Sequence, residues 1–171
     1  MVSTIAEQVI QLLQLQKHPT CGFVAETYRS PHHVQAESLP LGYRGNRALG
    51  SVLYFLVTRD AQIALHRIRA DQMYHYYAGD PLEVLLLYPD GRGVVSTVGF
   101  DLQKGIRPQL FIPGGTYHMS RLAPGGQYAL LGTSEWPAVE PEDVELGQVG
   151  HLIESYPGMR EALLSFTTHR A

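Results

Sequence analysis

The segment Pro113-Gly114-Gly115-Thr116-Tyr117-His118 decides how the rest of this sequence can be interpreted. Because proline fixes φ and glycine tolerates positive φ, Pro-Gly-Gly predicts a tight turn that aims the following histidine. A second histidine, His66, lies in another predicted strand, with Gln72 shortly after it. In a β-barrel these strands can converge, so the sequence predicts a pocket that holds both imidazoles.

The length and the charge of the chain limit the classes of function. Its 171 residues predict a single domain over residues 1–171, large enough to bury a core without disulfides or a structural metal. The formal net charge of −3 gives no electrostatic reason to expect nucleic acid or an anionic membrane as a partner. The predicted pocket, and not the charge, favours a small-molecule ligand as the partner.

The cysteine content and the N-terminus bear on localisation. Cys21 is the only cysteine in the sequence, which excludes an intramolecular disulfide. No apolar segment reaches the length of a membrane-spanning helix, and the N-terminus lacks the basic start and continuous apolar core of a signal peptide. We therefore expect a cytoplasmic protein.

Most of the chain predicts short strands separated by turns, a pattern typical of an all-β sandwich or barrel. Turn signals such as Pro89-Asp90-Gly91 and Pro124-Gly125-Gly126 stand between apolar runs. Together these features predict a barrel core over about residues 22–136. The predicted strands cover residues 23–28, 51–58, 63–67, 73–78, 82–88, 94–98, 109–112 and 127–133.

The N-terminal part of the chain predicts one helix and one long loop. Residues 3–16 have an amphipathic pattern, with Ser3 or Thr4 as the N-cap and Glu7 placed for a capping box. Residues 29–50 are rich in proline and glycine and predict a long loop that could cover a pocket.

The C-terminal part predicts a second helical region, over about residues 147–168. It contains two short helices, at residues 151–156 and 159–165, which Pro157-Gly158 separates. We expect both helices to pack on the outside of the barrel.

The two histidine segments resemble the two sequence motifs of the cupin superfamily. The first motif has the form Gly, five residues, His-x-His, three or four residues, Glu, six residues, Gly. Here His66 begins that frame, Ile68 stands at the second His, Gln72 stands at the Glu, and Gly79 ends it. The second motif contains Pro-x-Gly-x-x-His, which residues 113–118 match.

The chain resembles one little-characterised branch of small single-domain jelly-roll cupins more closely. That branch tends to show His-Pro-Glu-Gly-Gly before an Arg-containing strand, and here His18-Pro19-Thr20-Cys21-Gly22 precedes Arg29. It also tends toward His-Arg…Asp-Glu-x-Trp-His-Phe-Tyr-x-Gly, and residues 66–79 follow this pattern. The resemblance covers nearly the whole chain.

The resemblance implies a mainly all-β fold, the double-stranded β-helix jelly roll of cupins, with the N-terminal helix and the short C-terminal helices packed outside. It also implies a pocket in the barrel mouth and, in many members, a homodimer. It does not imply one reaction, because cupins include dioxygenases, isomerases, epimerases, decarboxylases and proteins that only bind sugars.

Strand alternation indicates which side chains face the pocket. Residues i and i+2 of a strand share a face. Gln72, Tyr74 and Tyr76 are therefore expected to point inward beside an inward His66. His75 is expected to point outward and is not a candidate ligand.

The first functional hypothesis is an acid–base enzyme, such as an isomerase or epimerase of a sugar-like or carbonyl compound. Histidine titrates near neutral pH, so His66 or His118 could act as the base, and Tyr74 could supply the opposite proton. Cupin-class epimerases of nucleotide sugars pair a His with a Tyr in this way. The side chains expected to bind the ligand are Gln72, Gln109, Arg29 and Tyr76.

The second hypothesis is a metal-dependent, oxygenase-type enzyme at the same place. His66, Gln72 and His118 would then bind one divalent transition metal, such as Fe, Mn, Zn or Ni, since imidazoles suit these ions. Gln72 is neutral and is a weaker ligand than a carboxylate. This weakened set leads to a third hypothesis, a cupin that binds a small ligand without catalysis, and the sequence leaves all three open.

Overall fold

Two antiparallel β-sheets packed face to face form the body of the protein. The structure is a computed structural model that describes residues 4–40 and 42–168. The strands are β1 (Gln16–Lys17), β2 (Phe23–Arg29), β3 (His33–Val34), β4 (Arg47–Ala48), β5 (Ser51–Thr58), β6 (Ile63–Ile68), β7 (Asp71–Gly79), β8 (Leu82–Leu87), β9 (Gly93–Val98), β10 (Gln109–Ile112), β11 (Tyr117–Leu122), β12 (Tyr128–Trp136) and β13 (Val144–Leu146). The helices are α1 (Ile5–Leu12), α2 (Val149–Ser155) and α3 (Arg160–Thr168).

The order of the strands is that of a jelly roll. The larger sheet has the order β1-β2-β5-β12-β7-β10, the smaller sheet has the order β13-β6-β11-β8-β9, and β3 pairs with β4 apart from both. The neighbours within each sheet are antiparallel, and most are not consecutive in the chain. This topology confirms the predicted mainly all-β jelly roll.

Strand β8 shows why the fold needs helices on its outer side. Its sequence, Leu-Glu-Val-Leu-Leu-Leu, is apolar at both alternating phases, so both faces of the strand must be covered. Val84 and Leu86 pack in the core between the sheets, whereas Leu85 and Leu87 pack on the opposite face. Burial of each such leucine contributes about 1.5–3 kcal/mol. The helix side chains that cover the outer face are Leu152, Leu163 and Phe166.

The C-terminal helices therefore pack outside the barrel, as predicted. None of the helices in the part of the chain that the structure describes is long and apolar enough to cross a membrane.

The start of α1 follows the predicted capping pattern. Thr4 is the N-cap, its hydroxyl accepts a hydrogen bond from the Glu7 amide at 3.2 Å, and the Glu7 carboxylate accepts one from the Thr4 amide at 2.8 Å. The alternative cap, Ser3, lies outside the described residues.

The end of α1 differs from the prediction of a helix over residues 3–16. The helix ends at Leu12, because Gln14 adopts a φ of 55° and reverses the chain direction. Residues 16 and 17 then form β1 and pair with Phe23 and Val24. The predicted helix was too long because the amphipathic spacing of the sequence continues beyond Leu12.

The loop predicted over residues 29–50 is anchored by Arg47, whose side chain is buried. Its guanidinium donates to both oxygens of Asp143, at 2.7 and 3.0 Å, and to the Glu142 carboxylate at 3.0 Å. It also donates to the carbonyl of Arg44 at 2.9 Å. The loop and the segment after β12 are therefore held together by one buried cation.

Five strands were not predicted from the sequence: the two-residue strands β1, β3 and β4, and also β11 and β13. β11 follows the Pro-Gly-Gly turn directly, and the smaller sheet is built around it. β13 adds an edge strand at residues 144–146, so the barrel extends beyond the predicted boundary at residue 136. A three-residue strand carries too short an alternation to be recognised in sequence.

The Pro-Gly-Gly turn packs directly on the turn between β6 and β7. The amide of Gly115 donates to the Ile68 carbonyl at 2.7 Å, and the amide of Gly114 donates to the Asp71 carboxylate at 2.8 Å. A Cβ at Gly114 would lie 2.2 Å from the carbonyl oxygen of Arg69, which leaves no space for any side chain. Gly115 has a φ of 78° but only one side-chain carbon near its missing Cβ, at 3.6 Å.

We predict that Gly114→Ala and Gly115→Ala destabilise the protein to different extents. Gly114→Ala forces two backbone segments apart and should lower the free energy of unfolding by about 3 kcal/mol or more. Gly115→Ala adds only left-handed strain, about 1–2 kcal/mol. Urea unfolding measures both values, and equal losses in the two variants would contradict this description of the turn.

Candidate functional site

A cavity of about 710 Å³ lies between the two sheets. We call it the barrel cavity. Its walls come from residues 18–29, from the inner faces of β5, β6, β7 and β12, and from residues 139–146. The described residues between 30 and 50 contribute nothing to its lining, so the prediction that this loop covers a pocket is wrong. The segment 139–146, which Arg47 anchors, takes that place.

His66 on β6 lines the barrel cavity and is 5% exposed. Its Nδ1 lies 2.7 Å from the carbonyl oxygen of Ala64. A carbonyl only accepts hydrogen bonds, so Nδ1 carries the proton and the neutral ring keeps a free lone pair on Nε2. Burial lowers the pKa of His66 below its ordinary 6.5, and the hydrogen bond to Ala64 opposes this shift only in part. His66 is therefore a neutral proton acceptor near neutral pH.

His118 on β11 pairs with His66 in register, and the two ring centroids are 4.3 Å apart. Its Nδ1 donates to the Thr116 carbonyl at 3.2 Å, and its Nε2 accepts a hydrogen bond from the Gln72 amide nitrogen at 3.3 Å. Burial, together with the neighbouring His66, lowers the pKa of His118 well below 6.5. Both ring nitrogens of His118 are thus already paired.

His118 is not among the residues that line the barrel cavity; it is buried beside His66 and hydrogen-bonded to Gln72. The two histidines lie side by side, as the sequence predicted, but only His66 is among the residues that line the cavity. His118 supports the wall of the cavity, whereas His66 forms part of it.

Glu135 is a cavity residue that the sequence interpretation missed. It lies on β12, directly between Ser51 on β5 and Gln72 on β7. The Ser51 hydroxyl donates to its carboxylate at 2.7 Å, but burial is the larger effect and raises the pKa of Glu135 above its ordinary 4.5. The predicted strand ended at residue 133, one alternation step too early, although Thr133 and Glu135 continue the inward phase.

Tyr74 and Thr133 form the next row of the same wall, deeper in the cavity. They are partners in register across β7 and β12, and both line the cavity. Tyr74 packs against Phe55 with ring centroids 4.9 Å apart, and burial raises its pKa well above 10, so its hydroxyl keeps its proton. Thr133 is 7% exposed, and its hydroxyl has no hydrogen-bond partner among the described residues.

Arg29 lies at the rim of the cavity, within a group that we call the rim cluster: Glu26, Arg29 and Glu140. Its Nε and Nη2 donate to Glu26 at 2.8–3.1 Å, and its Nη1 donates to Glu140 at 2.8 Å. The structure therefore brings the predicted Arg29 to the cavity, but with its guanidinium already paired with two carboxylates.

Tyr76 and Gln109 do not line the barrel cavity, so their predicted placement in the pocket is wrong. Tyr76 does share the inward face with Tyr74, but it packs against the apolar core and its hydroxyl donates to the Gly79 carbonyl. Gln109 lies on the outer face, where its amide nitrogen is 3.2 Å from Nδ1 of His75. The outward position of His75 matches the alternation argument.

The segment from His18 to Cys21 forms a further part of the cavity wall. Nδ1 of His18 accepts hydrogen bonds from the amide and the hydroxyl of Thr20, at 3.3 and 3.1 Å. Burial raises the pKa of the Cys21 thiol to about 11, so the thiol is protonated near neutral pH. The sequence singled out this segment only as a family marker, and nothing in its residue pattern indicated that it reaches a pocket.

The available donors do not fit a resident Fe, Mn, Zn or Ni ion. His66 and His118 do have the carbonyl-bonded Nδ1 that metal-ligating histidines show. The third predicted ligand, Gln72, is neutral and donates its N–H to His118, and Ile68 offers no donor atom. Among residues 4–40 and 42–168, no group of three or more His, Cys, Asp or Glu side chains is placed to hold a metal ion.

A jelly-roll barrel with a cavity between its sheets and paired histidines on adjacent strands defines a protein of the cupin class. The sequence model described as Cupin superfamily (DUF985) matches residues 7–147. The chain belongs to this family, as its resemblance to cupins predicted.

Individual relatives agree with this assignment. The uncharacterized protein YML079W of Saccharomyces cerevisiae is 32% identical over 127 residues, which are 71% of this chain and 63% of the yeast protein, less than two thirds of its length. A hypothetical protein from Leishmania major superposes with a TM-score of 0.82 at 29% identity, covering 95% of this chain and 98% of that one. A protein from Shewanella oneidensis gives 0.79 at 28% identity, covering 96% and 98%.

We predict that the buried, neutral His118 makes the protein less stable as the pH falls. The unfolded state binds a proton near pH 6.5, but the folded state resists it until its lowered pKa is reached. The stability that neutral His118 provides is therefore complete above pH 6.5 and is lost as the pH falls through the pKa of the folded state. Urea unfolding between pH 7.5 and 5.5 should show a weaker pH dependence in His118→Gln than in the parent.

The matched control for this experiment is His151→Gln, which removes an exposed histidine on α2. This control should keep the parent's pH dependence. An unchanged slope in His118→Gln would show that His118 does not stay neutral in the folded protein.

Proposed function

We propose that the barrel cavity is the catalytic site of an acid–base isomerase or epimerase that acts on a small carbonyl compound. One observation carries the proposal: His66 and Glu135 line the same cavity from opposite sheets. Burial lowers the pKa of His66 and raises that of Glu135, so the two pKa values move toward each other. Both shifts increase the fraction of molecules in which His66 is neutral while Glu135 is protonated, which is the combination that this base and this acid require.

The positions of the two groups suit proton transfer on opposite faces of a substrate. Nε2 of His66 removes the proton from the carbon next to the carbonyl group, and the C–H electron pair forms an enolate. The protonated Glu135 carboxyl group then donates its proton to the same carbon from the other face, which inverts the configuration. The net result moves one proton from Glu135 to His66, and exchange with solvent restores both groups.

The enolate oxygen needs a hydrogen-bond donor while it carries negative charge. The Thr133 hydroxyl supports this role, since it is buried, lines the cavity and has no partner among the described residues. Thr133 lies one alternation step from Glu135 on β12 and therefore shares its face. Gln72 and His118 act as positioning residues in this proposal, because they pair with each other and His118 lies beside His66.

The proposal changes two roles assigned from the sequence. Glu135 replaces Tyr74 as the acid, because the raised pKa of Tyr74 makes its hydroxyl a poor proton donor in a transfer step. The predicted homodimer and cytoplasmic location stay predictions.

We predict that the protein catalyses exchange of the proton next to a carbonyl group and that this activity depends on His66 and Glu135. Carbonyl compounds, including aldoses and ketoses, are incubated with the protein in D₂O, and deuterium incorporation is followed by NMR. His66→Gln and Glu135→Gln should each slow exchange by about 100-fold or more. His75→Gln, a matched histidine substitution on the outer face, should leave the rate unchanged.

The result also separates an enzyme from a protein that only binds. Binding of a compound without exchange above the protein-free rate would favour the non-catalytic ligand-binding hypothesis. Exchange that survives in both His66→Gln and Glu135→Gln would remove the residue assignment.

We predict a bell-shaped pH dependence for this exchange. Activity requires neutral His66, so the acidic limb should have its midpoint below the ordinary histidine value of 6.5. It also requires protonated Glu135, so the alkaline limb should have its midpoint above the ordinary glutamate value of 4.5. An alkaline limb absent up to pH 9 would mean that Glu135 is not the acid.

A further inference from the structure

The rim cluster leaves no positive charge free at the mouth of the barrel cavity. All three nitrogens of Arg29 donate to protein oxygens, those of Glu26, Glu140 and the Val139 carbonyl. Arg29 carries one positive charge and its two carboxylate partners carry two negative charges. The cluster as a whole therefore presents a net negative charge to any solute that enters.

The interior of the cavity does not reverse this sign. Glu135 adds a carboxyl group, and the two histidines in the lining, His18 and His66, are kept neutral by burial. The described residues of the lining include no lysine and no second arginine. The remaining walls are largely apolar, with side chains such as Phe55 and Ile63.

We propose that the barrel cavity selects uncharged hydroxycarbonyl ligands and excludes carboxylates and phosphates, because the rim cluster neutralises Arg29. A neutral ligand meets largely apolar walls, and Thr133 in the lining carries a buried hydroxyl that has no partner among the described residues. An anion loses water in a cavity of low dielectric and finds two carboxylates at the rim instead of a free cation. The proposal rests on the proposed function for the location of the ligand. It also changes the role predicted for Arg29: its charge balances part of the charge of Glu26 and Glu140 and does not bind a ligand carboxylate.

Cys21 provides a reporter inside the cavity that requires no knowledge of the natural ligand. It lines the cavity and is the only cysteine of the chain, so alkylation changes the mass of the protein at one known site. Iodoacetamide and iodoacetate have nearly the same shape, but only iodoacetate is an anion. In both reactions the Cys21 thiolate displaces iodide and forms a sulfur–carbon bond. The ratio of the two rates cancels the thiolate fraction and leaves the effect of reagent charge.

The experiment measures this rate ratio by intact-mass spectrometry at pH 8.5, with N-acetylcysteinamide as the free neutral thiol. The ratio for Cys21 should exceed that of the free thiol at least tenfold. In the double variant Glu26→Gln, Glu140→Gln, which releases Arg29, the ratio should fall at least threefold because iodoacetate gains access. These ion pairs are exposed and contribute little to stability, so the variant should stay folded.

The control double variant Glu154→Gln, Glu161→Gln removes the same charge from exposed positions on the C-terminal helices. It should keep the parent's ratio. A parent ratio equal to that of the free thiol, or the same ratio in the rim variant and the parent, would overturn the proposal. Absence of reaction with both reagents would overturn it as well, because such a cavity admits neither the neutral reagent nor the anion.

The outcome is independent of catalysis. Charge selection without proton exchange would refute the proposed function and leave this inference standing. Proton exchange without charge selection would do the reverse.

Discussion

The close approach of Gly114 to the carbonyl group of Arg69 is the constraint on which the geometry of the site depends. No residue with a side chain fits there, so the turn before β11 lies directly on the turn between β6 and β7. That contact fixes the register of β11 against β6 and sets His118 opposite His66. Each imidazole then bonds a carbonyl two residues before it, which fixes its tautomer. The chemical state of both rings thus follows from a packing contact between two loops.

The two histidines occupy equivalent strand positions but have different surroundings. Nε2 of His118 is paired with Gln72, whereas Nε2 of His66 has a free lone pair in the cavity wall. In the cupin motif, the Gln72 position carries an anionic Glu. A neutral amide at this position can donate to an imidazole, which a carboxylate cannot do. With Ile68 at the second His position as well, Gln72 and His118 form a hydrogen-bonded support for the wall at the place where the motif has metal ligands.

The fold could be predicted from sequence because it depends on local signals that recur along the chain. Strands β5 and β10 were predicted with the bounds that the structure gives them, and the Pro-Gly-Gly turn identified the second motif. The site was harder to predict, because a residue lines the cavity only if it lies on the inner face and also at the right position along its strand. Tyr76 has the same face as Tyr74 but is partly buried against the apolar core and does not line the cavity. Glu135 was missed because a charged residue is a poor strand signal, although it is buried in the lining of the cavity.

The ion pair between Arg47 and Asp143 joins two segments that are distant in sequence and lie outside the main barrel strands. One of them, residues 139–146, forms a wall of the barrel cavity. An insertion or deletion in the other segment would shift that wall, including the edge strand β13, through Arg47 and leave the central strands of the two sheets in place. Relatives with the same barrel and the same histidine pair can thus evolve different ligand preferences by changing the length of a peripheral loop. Ligand specificity in this architecture can diverge independently of the histidine pair and Glu135.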